Sequence, residues 1–205
     1  VNLGSASKDD LLKLLLDNNI TAPNGAKLIL EIKDHDLMMK TTVGVDKVAY
    51  NRPETATTTY LPFARYHRLF REKLPFGVFQ IGKAFRNEIS PRNSVLRGRE
   101  FTQAEGQLFL FEDQKNEYEP YSLVENNEIP LWSEKQQQKG AGIQMLTLKD
   151  ALKKGVIKSQ SYIWALHLTY ELFRNMGVPQ ERIRLRQHHK DEMAFYANDA
   201  WDVEI

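Results

Sequence analysis

Residues 79–109, FQIGKAFRNEISPRNSVLRGREFTQAEGQLF, hold the chain's densest group of residues able to do chemistry. They read as two strands joined by a long basic loop. Alternation sets Gln80, Gly82, Ala84, Arg86 and Glu88 on one face of the first strand and Phe79, Ile81, Lys83, Phe85 and Asn87 on the other. In the second strand Arg99, Phe101, Gln103, Glu105 and Gln107 share a face, opposite Glu100, Thr102, Ala104 and Leu108. An aromatic, an amide and a carboxylate in one row can stack on a base, hydrogen-bond it and bind an ammonium group. Gly82 and Ala84 give up packing on that face and leave room for a ligand. An exposed antiparallel sheet also carries a polar outer face, and that is the plain alternative for any Arg-x-Glu on a strand. Small residues in the row argue against it, because surface strands favour branched and aromatic residues. The residues alone imply an anionic, aromatic ligand lying on a sheet.

The rest of the chain must supply the elements that hold this pair of strands. A short helix is expected over residues 7–17, with Ser7 as cap, Asp9 and Asp10 at its positive end, and Leu11, Leu12, Leu15 and Leu16 as its apolar side. Leu37, Met38 and Met39 read as core. Residues 60–73 carry aromatic residues at helical spacing up to Pro75, and Thr57, Thr58 and Thr59 suit a strand. Residues 111–142 are polar, with two prolines and a glutamine run, and read as an edge excursion or insertion. A short helix is expected over 147–154 and a longer one over 159–175, with Tyr162, Ile163, Leu166, Tyr170 and Phe173 on one side. Gly177 and Pro179 end it, and residues 183–188 alternate as a strand. The class is α+β: an antiparallel sheet with helices on one face and a ligand on the other.

FRNEISPR, then a loop, then REFTQAE closely resembles motif 2 of the class II aminoacyl-tRNA synthetases, in the wording of the archaeal and eukaryotic glycyl-tRNA synthetases. Three more segments resemble that family, in its order: HDLMMKTTVG at 35–44, NRPETA at 51–56 and RLRQHHKDEMAFYANDAWDVE at 184–204. The resemblance implies the class II catalytic fold across residues 1–205, with motif 2 at 79–109 and a polar insertion at 112–142. Motif 1, motif 3 and an anticodon-binding domain are not recognised. The expectation is therefore part of a longer chain, or one half of a split enzyme.

The resemblance also implies a reaction: glycine and ATP give glycyl-adenylate and pyrophosphate, and glycine passes to the 3′ end of its tRNA. Arg86 matches the arginine that grips the α-phosphate and the substrate carboxylate, which makes it the catalytic candidate. Glu88 matches the residue near the adenine amino group, and Phe101 the ring that stacks on adenine. Asn87 and the returning segment Leu96, Arg97, Arg99 and Glu100 complete the implied ATP side. Glu54 and Glu105 match glutamates around the glycine ammonium, with Phe101, Thr102 and Gln103 beside them. Arg52 reads equally as an orienting residue with ion pairs of its own or as a direct contact. Gln187 and Glu192 border the site in the family and receive no catalytic role. Thr57–Thr58–Thr59 depart from the Gln-Gly-Ile common after RPETA, which puts the pocket floor in question. ATP with Mg2+, glycine and tRNA are the implied partners, with a homodimer in the full-length protein or a complementary half if the enzyme is split. A non-catalytic synthetase-like accessory or tRNA-binding subunit is the alternative. Such a protein would be expected to lose the charged pocket.

Composition narrows the remaining choices. The 205 residues are 41% apolar, enough for a sizeable core, and the net charge of +1 offers no global pull on nucleic acid. Basic character is local, in Arg86, Arg92, Arg97 and Arg99. With no cysteine, disulfides and thiolate zinc sites are excluded, and a cytoplasmic location fits. The five histidines form no ligand pair and read as structural or surface residues. No apolar run approaches membrane-spanning length.

Overall fold

The computed structural model describes residues 7–91, 96–194 and 196–205. Arg92, one of the basic loop residues, lies outside the described residues. The chain divides into two compact units: Val1–Phe63 with Phe79–Gly106, and Ala64–Val78 with Gln107–Ile205.

The first unit opens with α1, Lys8–Asp17. Ser7 caps it reciprocally: its hydroxyl accepts from the Asp10 amide, and the Asp10 carboxylate accepts from the Ser7 amide at 3.2 Å. These bonds from Ser7 hold the Asp10 carboxyl below its ordinary range. The expected boundaries hold, but no residue of α1 is buried. A hairpin follows, β1 (Lys40–Val43) with β2 (Lys47–Tyr50), paired antiparallel from Lys40↔Tyr50 to Val43↔Lys47. Leu37 and Met38, expected in the core, are exposed. Residues 35–38 instead serve the sheet through main-chain bonds, described below.

Next along the chain come α2, Thr57–Tyr60, in the first unit, and α3, Phe63–Leu69, which from Ala64 on belongs to the second. Both correct the sequence reading. The three threonines form a helical turn rather than a strand. Their hydroxyls turn back onto it: Thr58 Oγ1 donates to the Thr55 carbonyl at 2.7 Å and Thr59 Oγ1 to that of Ala56 at 2.6 Å. The single helix expected over 60–73 is two short ones, because Pro62 brings no N–H to continue the ladder. Then β3 (Phe76–Phe85) and β4 (Glu100–Phe109) form a two-stranded sheet. Exposure alternates along both, as the sequence pattern predicts: Ile81 is 64% exposed while Ala84 is fully buried.

The second unit holds the larger core. Its helices and strands after β4 are α4 (Glu119–Ser122), β5 (Glu128–Trp132), α5 (Glu134–Gln138), β6 (Gln144–Thr147), α6 (Leu148–Lys153), α7 (Gln160–Asn175), β7 (Arg184–Gln187) and β8 (Trp201–Glu204). Strand order is β6-β5-β7-β8, with β5–β7 parallel and the other pairs antiparallel. Ile129 and Leu131 of β5 pack with Leu148, Ile163 and Leu185 in one cluster. Residues 128–132 are thus an interior strand of the sheet, and the reading of this stretch as an edge excursion does not hold for them. The long helix is as expected: Ser159 caps it through the Tyr162 amide, and Ile163, Leu166, His167 and Tyr170 recur at i, i+3, i+4, i+7 on its buried side. Gly177, at φ +92°, closes it with bonds from its own amide to Arg174 and from Val178 to Phe173.

Candidate functional site

Three of the sequence segments singled out above meet in the first unit, around the end of β3. Main-chain bonds tie them together. The Asn87 amide donates to the Leu37 carbonyl at 2.8 Å, and Met38 bridges Arg86. On the other side the Phe85 amide donates to the Arg52 carbonyl at 2.9 Å, and the Arg86 amide donates across the hairpin to Arg99 at 3.0 Å. The strand end that presents Arg86 is therefore held by backbone from three directions.

Arg86 is half-buried. Its Nε donates to the Pro53 carbonyl at 3.2 Å, and its guanidinium lies 5.3 Å from the centre of the Phe101 ring. A cation over a ring face gains about 0.5–1 kcal/mol and, more usefully here, fixes the plane of the fork. With Nε committed to Pro53, the two terminal nitrogens carry the donors that remain.

Thr55 is the centre of the acidic side. It is fully buried although polar. Its amide donates to the Gln103 side-chain oxygen at 3.0 Å and its hydroxyl to Glu105 Oε2 at 2.6 Å. Gln103 and Glu105 are thus held on the Phe101 face of β4. Glu54 lies between two anchored neighbours, Pro53 on Arg86 and Thr55 on β4, and is half-buried. Sequence reasoning gave Thr55 no role. The signal lay in its position inside RPETA, opposite a strand that carries two polar side chains.

Arg52 orients its loop through neutral oxygens rather than through the expected ion pairs. Its Nε donates to the Lys83 carbonyl at 2.7 Å and its Nη1 to Thr58 Oγ1 at 3.1 Å, and the Thr58 hydroxyl also bonds Gln80. Among the described residues no ion pair of Arg52 is found. Its guanidinium lies over Gly82, where a Cβ would overlap Nη2. The space left by Gly82 is thus filled by Arg52, not kept open for a ligand. Ala84 is likewise covered.

The remaining candidates spread out. Asn87 is engaged with the 35–37 segment: its side-chain amide donates to the Asp36 carbonyl at 3.0 Å, and its own carbonyl bonds His35. The Glu88 carbonyl accepts from Arg99 Nε at 3.1 Å. Leu96 and Arg97 are exposed. Alternation puts the side chains of Glu100 and Thr102 on the face opposite Phe101, Gln103 and Glu105, and Glu100 pairs there with Lys83 at 3.0 Å. Only the main chain of these two residues reaches the candidate face.

Gln187 and Glu192 belong to the second unit. Gln187 Nε2 donates to Asp199 at 2.9 Å, while Arg186 grips Glu192 with both terminal nitrogens. The His189 amide and the Arg186 charge hold the Glu192 carboxyl below its ordinary range. These partners account for both residues structurally. Among the described residues no group of three or more His, Asp or Glu side chains stands close enough to hold a metal ion. No helix among the described residues is long and apolar enough to cross a membrane.

Residues 48–128 match the tRNA synthetase class II core domain (G, H, P, S and T). That span contains the Arg86–Phe101 pair and the Thr55 cluster. Beyond it, the chain is similar to curated proteins named glycine–tRNA ligase. Those of Methanococcus maripaludis (strain C6) and Methanothrix thermoacetophila are each 38% identical to it, over 96% and 97% of the chain. That of Pyrococcus abyssi is 37% identical over the whole length of this chain. The match covers 35%, 34% and 36% of those relatives, so the chain spans about a third of their length. The described elements are α+β in class, as the sequence pattern implies.

Proposed function

We propose that this chain is the part of a glycine–tRNA ligase that binds glycine and ATP and forms glycyl-adenylate, the glycine then passing to the 3′ end of its tRNA. The observation that carries the proposal is the convergence, on one face of β4, of a guanidinium and a carboxylate, groups suited to an anion and to an ammonium. Arg86 sits over Phe101, and Glu105 lies one step beyond Gln103 on the same alternation. Similarity to glycine–tRNA ligases along nearly the whole chain supports the choice of amino acid.

The chemistry suits these residues. A glycine carboxylate oxygen attacks the α-phosphorus of ATP, and the bond from that phosphorus to the bridging oxygen breaks, releasing pyrophosphate. The nucleophile is already ionised at pH 7, so no general base is needed. Rate comes from positioning and charge stabilisation. The Arg86 fork bridges an α-phosphate oxygen and the substrate carboxylate, and its fixed plane avoids reorganisation as charge develops. Phe101 offers a ring to adenine, with Glu88 near the adenine amino group. The main chain of Asn87, Glu100 and Thr102 borders the ligands. Exposed Arg97 and Arg99 lie where triphosphate or tRNA phosphates would pass. Glu105 and Glu54 face the ammonium with charge-assisted bonds, while Gln103 frames the amino-acid side. A pocket closed beyond Cα rejects larger amino acids by overlap. Magnesium enters on the triphosphate of ATP. The same reading gives the full-length protein a cytoplasmic location and a homodimeric state, or a complementary half, which sedimentation of the parent protein separates.

The test is ATP–pyrophosphate exchange by the full-length parent protein with each amino acid in turn. Glycine alone should drive exchange. Exchange with serine or alanine but not glycine would overturn the specificity. No exchange by a complete, folded parent would favour a non-catalytic accessory subunit.

A further inference from the structure

We infer that Thr55 is a positioning residue, setting affinity for the substrate ammonium by fixing the Glu105 carboxylate without touching the substrate itself; this rests on the amino-acid reading of the site above. All the polar groups of Thr55 are engaged. Its amide holds Gln103 at 3.0 Å, its hydroxyl holds Glu105 Oε2 at 2.6 Å, and its carbonyl accepts from the Thr58 hydroxyl at 2.7 Å. An ionised carboxylate only accepts, so the single hydroxyl proton goes to Glu105. That bond occupies Oε2 and fixes the plane of the carboxylate, leaving Oε1 as the oxygen offered to a ligand cation. Gln103 and Glu105 are two residues apart on β4, so one buried residue from the facing loop locks both neighbouring side chains of the pocket wall. The Thr58 bond makes the loop itself stiff, and through Arg52 that stiffness is tied back to the Lys83 carbonyl on β3. Charge-assisted bonds of this kind are the strong ones, and a pre-set carboxylate need not be ordered when the ligand arrives.

The experiment compares Thr55→Val, which keeps the shape and removes the hydroxyl, with Thr55→Ser, which keeps the hydroxyl, in the full-length parent. Exchange kinetics give KM for glycine, KM for ATP and kcat. Thr55→Val should raise the glycine KM roughly ten- to a hundred-fold, the range for losing a hydrogen bond to a charged group, with the ATP KM within about twofold. Thr55→Ser should stay near the parent in both. An unchanged glycine KM in Thr55→Val, an equal rise in both KM values, or a Thr55→Ser defect as large as that of Thr55→Val overturns the inference. Should the valine variant not fold, Thr55→Ala replaces it with the same outcomes. If the unmutated parent activates no amino acid, it is the glycine reading that fails. The positioning claim is then judged by crystal structures of parent and Thr55→Val: Glu105 released from its place in the variant supports it, and an unmoved Glu105 carboxylate overturns it.

Discussion

The Arg52 guanidinium lies against the bare backbone of Gly82, in space that a Cβ would take. It is held there by neutral oxygens, the Lys83 carbonyl and the Thr58 hydroxyl. The arginine thus works as a strut between the 52–58 loop and β3. Gly82→Ala should push the guanidinium off these oxygens and destabilise the protein by about 1–3 kcal/mol, as overpacking does. In an Arg52→Ala background the clash is gone, and the same change should be neutral or stabilising by up to about 1 kcal/mol, since glycine is a poor strand residue. Urea unfolding of the four proteins gives the coupling. Equal effects of Gly82→Ala in both backgrounds would refute the strut.

Arg86 has its Nε committed to the Pro53 carbonyl and its plane set by Phe101. Arg86→Ala in the full-length parent should cost about 3–4 kcal/mol of transition-state stabilisation, a fall of roughly a hundred- to a thousand-fold in kcat for exchange. Arg86→Lys keeps the charge and loses the fork, so it should recover only a small part of that loss. A lysine variant with near-parental kcat would mean that charge alone suffices and that the planar grip is not used.

Glu105 should separate the two substrates. Glu105→Gln keeps the volume and an acceptor for Thr55 but removes the charge facing the ammonium. The expected result is a glycine KM raised by roughly ten- to a hundred-fold, about 1.5–3 kcal/mol, with a much smaller change for ATP. Near-normal glycine kinetics would show the amino-acid site to be misplaced.

The alternation of β3 and β4 was legible because side chains on a strand have a fixed period of two, whatever packs against them. So was the cap at Ser7, which depends on a residue three positions on. What escaped the sequence depends on partners distant along the chain. Gly82 offered an empty place, and nothing local said that Arg52, thirty positions earlier, fills it. The threonines at 57–59 carry strand propensity, yet their hydroxyls can satisfy the preceding carbonyls, and a helical turn results. Residues 128–132 sit in a polar stretch, so their burial is visible only once β6 and β7 flank them. Leu37 and Met38 looked like core by type, but their segment is used for its backbone, which reaches Arg86 and Asn87.

His167 gives the second unit a pH dependence of its own. It is buried on α7, where the Asn127 side-chain amide donates to Nε2 at 3.0 Å. Nε2 is therefore an acceptor, and the ring is neutral with its proton on Nδ1. Burial pushes its pKa down, and Glu171, 3.8 Å away on the same helix, opposes the shift only in part. A histidine whose folded pKa lies below its unfolded value contributes stability that is complete above the unfolded value, about 6.5, and is lost as pH falls toward the depressed folded value. In that window the unfolded chain binds the extra proton, and the slope from this group approaches about 1.4 kcal/mol per pH unit at most. His167→Gln keeps an acceptor for Asn127 and cannot titrate. Urea unfolding between about pH 5 and 7 should therefore show a flatter stability profile for the variant than for the parent. Parallel profiles would mean that His167 is not held neutral by its burial.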